Sequence, residues 1–273
     1  MPSAPTPALP QTTCKSLDDW NEPTHARRIY GNTWYVGTCG ISVVLIATPQ
    51  GHVLIDSAPE KASVAVRQNI LSLGVRLVDI KTILLTHEHH DHMGGLASMQ
   101  EATGAKVLSR ANVVDVLKSG KNDRRDPQFN ELAGFDPIVN VHAFEDSSAI
   151  KIGSTQIQHI PMSGHAPGGS GWTWQECEKG VCKNLVFADS LGSISDDSYR
   201  YSAPDSLANA LRESSQRVAK TACDILITGH GTASDLLARL DGAKPLLEPQ
   251  ACVNYAQAGA LRLEDRLKKE AVK

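Results

Sequence analysis

Segment 84–92, with the sequence L-L-T-H-E-H-H-D-H, holds four histidines, one aspartate and one glutamate. The apolar run Ile83-Leu84-Leu85 is typical of a buried strand, so we expect the polar cluster on the loop that leaves the strand's carboxyl end. Ligands bind at that edge in layered α/β folds. So many imidazoles and carboxylates need a partner that neutralises and orients them. A divalent metal does both, and neutral imidazole with carboxylate favours zinc.

The spacing H-x-H-x-D-H divides this cluster between two metal positions. Alternate residues of an extended segment point to the same side, so His87 and His89 can bind one metal. Asp91 and His92 then reach a second position as the chain turns into Gly94-Gly95. A single histidine beside a strand is usually a packed or surface residue, but chance does not readily assemble this whole pattern after a buried strand.

Composition and charge exclude several classes of protein. The chain has 273 residues, of which 41% are hydrophobic and 21% are charged, as in ordinary globular proteins. Its net charge of −3 supplies no basic stripe, so we expect no nucleic-acid partner. No apolar run approaches the roughly 18 residues that span a bilayer, so we expect no membrane partner. No intact signal peptide is evident, and we expect Pro2–Thr13 to open a mature or trimmed chain.

The cysteines bear on the compartment. There are six, an even number, namely Cys14, Cys39, Cys177, Cys182, Cys223 and Cys252. Their number allows fifteen connectivities, and we prefer the sequential pairing because each link would join neighbouring segments. This reading favours a periplasmic or secreted protein. The alternative is six reduced cysteines in a cytosolic protein.

Polar residues of the metal-binding type recur at the ends of β-rich runs in both halves of the chain. Besides the cluster, they are Asp56, His165, Asp189 and His230, and most have glycine neighbours that let a loop approach a ligand closely. Taken alone, either histidine would be ordinary. Because they fall at matching edges of the two halves, we expect both to bind metal. The charged loop Asn122–Pro137 is long enough either to border this site or to be a solvated connection.

Four motifs together resemble the metallo-β-lactamase superfamily. They are T-H-E-H-H-D-H at 86–92, G-H-A-P-G-G at 164–169, A-D-S at 188–190 and G-H-G at 229–231. The resemblance covers the chain from roughly Arg28 onward and implies an α/β (α+β) fold, the four-layer αββα sandwich. We expect residues 1–22 to be an N-terminal extension and 23–273 to form a single domain. His92 after Asp91, and Ser190 where other subclasses place a cysteine ligand, resemble the class B β-lactamases of subclass B3.

This resemblance implies a zinc-dependent β-lactamase that inactivates antibiotics. It places the first of two Zn²⁺ on His87, His89 and His165, and the second on Asp91, His92 and His230. A hydroxide bridging the two ions would attack the β-lactam amide, with Asp91 orienting it and Ser190 holding the substrate carboxylate. Three sequential disulfides are also implied, namely Cys14–Cys39, Cys177–Cys182 and Cys223–Cys252. The substrate would be a small molecule, and we expect a monomer because no long heptad or apolar stripe appears.

Departures from the family pattern keep alternatives open. Gly229 stands where a proline is common, and Gly192 stands where related enzymes often carry a hydroxyl that helps to hold the substrate. The nearest alternative is a lactonase or a glyoxalase-type thioesterase of the same fold, which bridges its metals with an aspartate at the fourth motif. The question is therefore whether Asp189 or Ser190 faces the metals. An alternative of another class is a zinc-storing protein without turnover.

Overall fold

The computed structural model describes residues 14–146 and 149–272. The expected start of a trimmed chain, Pro2–Thr13, lies outside the described residues, so the extension 1–22 is seen only from Cys14. The division into an extension and one domain therefore stays a prediction. Within the described ranges, no helix combines the length and the apolar character that crossing a membrane requires.

Seven strands form the first sheet, and they follow one another in chain order. They are β1 (Arg27–Tyr30), β2 (Thr33–Tyr35), β3 (Val44–Ile46), β4 (His52–Ile55), β5 (Ile80–Leu84), β6 (Lys106–Arg110) and β7 (Val141–Phe144). The first four pair antiparallel, and β4 to β7 pair parallel. Parallel pairing brings the carboxyl ends of β4 and β5 to the same edge, where the polar cluster begins.

Five strands form the second sheet, in the order β12-β11-β10-β9-β8. They are β8 (Ala149–Ile152), β9 (Thr155–Pro161), β10 (Ser170–Glu178), β11 (Val181–Ala188) and β12 (Ile225–Thr228). All neighbours pair antiparallel except β11 and β12, which are parallel. The hairpin of β10 and β11 is longer than its apolar residues indicate, because its distal half is polar and projects from the core.

The α-helices are α1 (Ser63–Ser72), α2 (His90–Met93), α3 (Leu96–Thr103), α4 (Val114–Ser119), α5 (Ala208–Lys220), α6 (Leu236–Leu240) and α7 (Ala251–Ala271). Helix α6 contributes Leu236 and Leu237 to the core between the sheets. Helices α1, α3 and α4 bury apolar residues against the first sheet, whereas α5 and α7 do so against the second. The short helix α2 includes part of the His/Asp cluster, which the sequence placed on a loop.

Three separate apolar cores produce the layers. On β4, Val53 and Ile55 point into the core between the two sheets, and Leu54 points to the core under the first helices. On β11, Phe187 likewise points between the sheets and Val186 toward α5 and α7. Strands buried on both faces read as continuous apolar runs. The order helix, sheet, sheet, helix confirms the expected αββα sandwich.

All six cysteines are paired. The disulfides are Cys14–Cys39, Cys177–Cys182 and Cys223–Cys252. The sequential pairing is therefore confirmed. Cys177 lies opposite Cys182 in the register of β10 and β11, at the end of the hairpin remote from the polar cluster.

Candidate metal centre

The cluster at 86–92 is fixed to the end of β4 by Asp56. The backbone N–H of Asp56 donates to the carbonyl of Leu84 at 2.9 Å. Its carboxylate accepts hydrogen bonds from the backbone N–H and the hydroxyl of Thr86, at 2.7 and 2.8 Å. Asp56 is fully buried and has a φ of 64°, a left-handed conformation that costs free energy in a residue other than glycine. A strained backbone conformation thus lies at the end of β4, beside the cluster.

One group of inward-facing ligand atoms belongs to His87, His89 and His165. One ligand atom from each lies within 4.8 Å of the other two. The loop between β9 and β10 supplies His165, whose ring centroid is 5.0 Å from that of His87 and 4.9 Å from that of His89. The structure therefore brings together the three residues predicted for the first zinc, across 78 residues of sequence as counted from His87 to His165.

A second group adjoins the first. Ligand atoms of His87, Asp91 and His92 also lie within 4.8 Å of one another. His230, from the end of β12, joins this group through Asp91, whose Oδ2 is 3.2 Å from Nε2 of His230 and 3.2 Å from Nε2 of His92. All six predicted metal ligands thus converge on one place, with His87 adjoining both groups.

Each of four histidines has one ring nitrogen bonded to a protein acceptor. The pairs are His87 Nδ1 with Asp189 Oδ1 at 2.7 Å, His89 Nε2 with Asp126 Oδ2 at 2.9 Å, His92 Nδ1 with Asp56 Oδ2 at 3.2 Å and His165 Nδ1 with the Gly192 carbonyl at 3.0 Å. Metal-bound histidines commonly donate their second N–H to such acceptors. The arrangement therefore leaves the other nitrogen of each ring for a metal.

Unpartnered atoms support this interpretation. Nε2 of His87 and Nε2 of His92 are buried and have no hydrogen-bond partner among the described residues, where the only polar contact of His92 Nε2 is the 3.2 Å ion-pair approach to Asp91. A buried polar atom without a partner is costly, and few occur in a folded protein. Both atoms face the cluster of ligand atoms, so the residues present fit a bound metal ion.

Burial sets the charge of the imidazoles. Burial, with the neighbouring His92 and His89, lowers the pKa of His87 well below its ordinary value. Burial, with His89, lowers the pKa of His165 to about 3. Both rings are therefore neutral at neutral pH, which is the form that binds a metal.

Asp91 remains ionised despite its burial. Burial alone would raise the pKa of Asp91, but the charge of His92 and the imidazoles of His92 and His230, each 3.2 Å from its Oδ2, hold it well below the ordinary value. A buried carboxylate needs a compensating positive charge. A metal ion bound beside Asp91 would supply that charge.

Ser190, and not Asp189, borders the open side of the site. Asp189 is 1% exposed and lies behind His87, to whose Nδ1 it is bonded, and it belongs to neither group of clustered ligand atoms. Ser190 instead lines a cleft of about 500 Å³ that also contains His92 and His230. Its Oγ accepts a hydrogen bond from the N–H of Gly192 at 3.2 Å. These contacts place Asp189 behind a histidine of the cluster and Ser190 on the cleft.

Two residues that border the site were not predicted from the sequence. Asp126, which orients His89, comes from the loop 122–137, so this loop borders the site and is more than a solvated connection. Trp20 comes from the expected extension, and its ring centroid lies 5.7 Å from that of His90 and 5.8 Å from that of His230. Only the long, charged loop and a disulfide joining the extension to the first sheet could have suggested these contacts.

Glu88 and His90 point away from the clustered ligands. Glu88 is buried and accepts a hydrogen bond from the N–H of Gly168 at 2.9 Å, so it anchors the loop that carries His165. Burial raises the pKa of Glu88 to about 7. His90 contacts Trp20 instead. These two residues alternate with the metal ligands along the chain.

Comparisons with known proteins agree with this geometry. A family model described as the metallo-beta-lactamase superfamily matches residues 36–230. The chain is similar to the metallo-beta-lactamase SMB-1 bound to 2-mercaptoethanesulfonate, with 44% identity, coverage of 92% of this chain and 99% of that chain, and a TM-score of 0.89. It is also similar to MEM-A1, a subclass B3 metallo-beta-lactamase from a soil metagenome library, with 38% identity, coverage of 93% and 99%, and a TM-score of 0.90.

A third comparison is local. A hydroxyacylglutathione hydrolase of Pseudomonas aeruginosa (strain LESB58) is 58% identical over 33 residues, or 12% of this chain. The match spans only 13% of the length of that curated relative. A likeness of this extent concerns one short segment and not the whole protein.

Proposed function

The chain belongs to the metallo-beta-lactamase superfamily and to its subclass B3 group, and on this premise we propose that it hydrolyses the amide bond of β-lactam antibiotics. The observation that carries the proposal is the convergence of six ligand residues beside a cleft bordered by Ser190. Those residues are the ones that the subclass resemblance implies.

The proposed cofactor is a pair of zinc ions. His87, His89 and His165 would hold one ion, and Asp91, His92 and His230 would hold the other. Bound zinc supplies an activated water near neutral pH and polarises the carbonyl oxygen of the substrate. Asp56, Asp126 and Asp189 each fix one ring nitrogen of a ligand histidine, and so hold the other nitrogen in place.

Two side chains have further proposed roles. Asp91 is an ionised carboxylate at the centre of the ligand cluster, where it can orient the attacking water and hold a proton. Ser190 uses its Oγ to accept from Gly192, so its own hydroxyl proton is available to a substrate carboxylate. Trp20 adds an apolar ring beside His230 that can pack against the substrate.

The location and state of the protein are part of the same proposal. Three disulfides support export to an oxidising compartment, and we propose the periplasm or secretion. We propose a monomer acting on a small-molecule substrate, with antibiotic resistance as the biological consequence.

A lactonase or thioesterase is not favoured. Enzymes of that type are expected to use the aspartate of the fourth motif as a bridging ligand, and here Asp189 is bonded to the outer nitrogen of His87. The likeness to a hydroxyacylglutathione hydrolase covers only 33 residues.

The variant Asp91→Ala tests the proposed function. Because this change removes a ligand and the central carboxylate, we expect the rate of hydrolysis of a chromogenic cephalosporin to fall more than about 100-fold in zinc-loaded protein. Glu101→Ala, on the exposed side of α3, is the matched control and should keep full activity. Circular dichroism should show both variants folded. Full turnover by a purified, folded Asp91→Ala protein would overturn the assignment.

A further inference from the structure

The cleft beside the metal centre has one cationic wall. His92, Ser190 and His230 border it on the side of the metal ligands. The opposite wall is α7, which contributes the cations Arg262, Arg266 and Lys269 and one carboxylate, Asp265, whose charge is paired with Lys268 at 3.7 Å. A cleft with an excess of fixed positive charge favours an anionic ligand.

The three cations differ in the partners that their side chains already have within the protein. Arg266 donates through Nη2 to Ser195 Oγ at 2.6 Å and forms an ion pair with Glu270 at 2.5 Å. Arg262 and Lys269 are exposed and have no ion-pair partner among residues 14–146 and 149–272. Arg266 is therefore committed to the fold, whereas the side chains of the other two are not held by an ion pair.

Of the two free cations, Arg262 lies nearer the strand end that carries Ser190. Tyr255, Arg262 and Lys269 follow at intervals of seven residues and so lie along one stripe of α7. Tyr255 fixes the start of this stripe to the end of β11, because its hydroxyl donates to the carbonyl of Asp189 at 2.9 Å. The carbonyl of Arg262 accepts from Ser193 Oγ at 3.4 Å. Lys269 lies about 10 Å farther along the axis, at 1.5 Å per residue.

Ser190 by itself is a poor carboxylate site. A carboxylate has two oxygens that can accept several hydrogen bonds, and one hydroxyl supplies a single donor. Gly192, two residues on, has no side chain to add a second donor. A guanidinium presents two parallel N–H groups that match a carboxylate, and it pairs more strongly than a neutral donor.

We propose that Arg262 binds the carboxylate of the substrate together with Ser190, and that it makes this protein prefer anionic β-lactams to neutral ones. This assignment rests on the proposed function. Arg262 supplies the carboxylate with the further N–H donors that Ser190 and Gly192 cannot provide. It is a specificity-determining residue and takes no part in bond cleavage.

The test compares benzylpenicillin with its methyl ester, which lacks the negative charge. Arg262→Gln in zinc-loaded protein should raise KM for the acid about tenfold and leave kcat nearly unchanged, because a charged hydrogen bond that is present before and during reaction is lost. The KM for the ester should not change. The calorimetric Kd of the ring-opened acid should rise by the same factor, with zinc content unaltered. The KM of Arg262→Lys for the acid should lie between the values for the unmodified protein and for Arg262→Gln.

Lys269→Gln is the matched control for charge, since it removes one exposed cation from the same stripe. Its KM for the acid should stay within about twofold of the unmodified protein, because an exposed charge at that distance is largely screened. Equal KM values for Arg262→Gln and the unmodified protein would overturn the role of Arg262, as would an equal rise for acid and ester or an equal rise in Lys269→Gln. An unmodified protein that hydrolyses neither compound would overturn the proposed function, and this inference with it.

Discussion

Four histidines of the metal centre have one ring nitrogen fixed by a protein acceptor, and this decides which nitrogen faces a metal. His89 is bonded through Nε2 and so turns Nδ1 inward, whereas His87, His92 and His165 are bonded through Nδ1. The acceptors keep the rings in place without the metal. The site is therefore preorganised, which reduces the cost of binding an ion.

Gly229 makes room for one of these rings. A Cβ at this position would lie 2.5 Å from Cε1 of His92, far inside van der Waals contact. Gly229→Ala should therefore displace His92 and lower the affinity for the second metal about 10- to 100-fold, as other changes around metal ligands do. Zinc titration against a chromogenic chelator measures this affinity.

Gly231 supplies the control for that substitution. A Cβ there would meet nothing closer than Ser42 Oγ at 3.6 Å, an ordinary contact. Gly231→Ala should bind zinc as the unmodified protein does. Equal affinities in Gly229→Ala and Gly231→Ala would contradict the packing described around His92.

The strands bring these residues together because each residue follows the end of a strand at the same edge of the sandwich. The same arrangement determines which residues of the site could be predicted from the sequence. The six residues proposed to bind metal follow the strands β5, β9 and β12 at one edge of the sandwich, and apolar runs before polar, glycine-flanked residues are visible in the sequence. That pattern indicated the six residues, whereas the αββα order was implied by the resemblance to the metallo-β-lactamase superfamily. The partners of the histidines were harder, because Asp189 is 102 residues from His87 and Asp126 is 37 residues from His89.

Other elements could not be predicted because their apolar residues show no regular spacing in the sequence. Strand β1 (Arg27–Tyr30) has two arginines in four residues, yet Arg27 is buried through its ion pair with Asp241 at 2.7 Å. The position of Trp20 depends on tertiary contacts, since its carbonyl accepts from Thr38 Oγ1 at 2.9 Å. Contacts of this kind have no local pattern.

The disulfide Cys14–Cys39 holds the segment that carries Trp20. Replacing both cysteines by serine should lower the free energy of unfolding by about 3 kcal/mol, from the lost loop closure, and should raise KM because Trp20 is less well held. Denaturant unfolding and steady-state kinetics measure the two effects.

The control replaces Cys177 and Cys182 in the same way. This change should lower the free energy of unfolding by about 2 kcal/mol, since that loop is shorter, and should leave KM unchanged because the hairpin end is remote from the site. An equal KM rise in both double variants would contradict the role given to this segment.

We expect the stability of the whole molecule to depend on its metal, because the residues proposed to bind it come from both halves of the sandwich. His87 and Asp91 follow the first sheet, and His165 and His230 follow strands of the second. A bound ion therefore links the two sheets at their shared edge. Metal that binds only the folded state stabilises that state.

Chelation should consequently destabilise the folded protein. Removing zinc should lower the thermal midpoint by about 5–10 °C, and adding zinc back should restore it. Differential scanning fluorimetry at fixed protein concentration measures the shift. Asp91→Ala should show a smaller shift, since it lacks one ligand. An unchanged midpoint in the unmodified protein would mean that the clustered residues do not hold a metal.

The most direct measurement is turnover of a penicillin, a chromogenic cephalosporin and a carbapenem by purified, zinc-loaded protein, with a homoserine lactone as counter-substrate. The proposed function predicts hydrolysis of at least one of the three β-lactams, its loss in chelator and its recovery with zinc, and no lactone turnover. Inertness toward all three β-lactams combined with zinc-dependent hydrolysis of the lactone would contradict it. The protein would then be a related hydrolase, and Asp189 would be the first residue to replace.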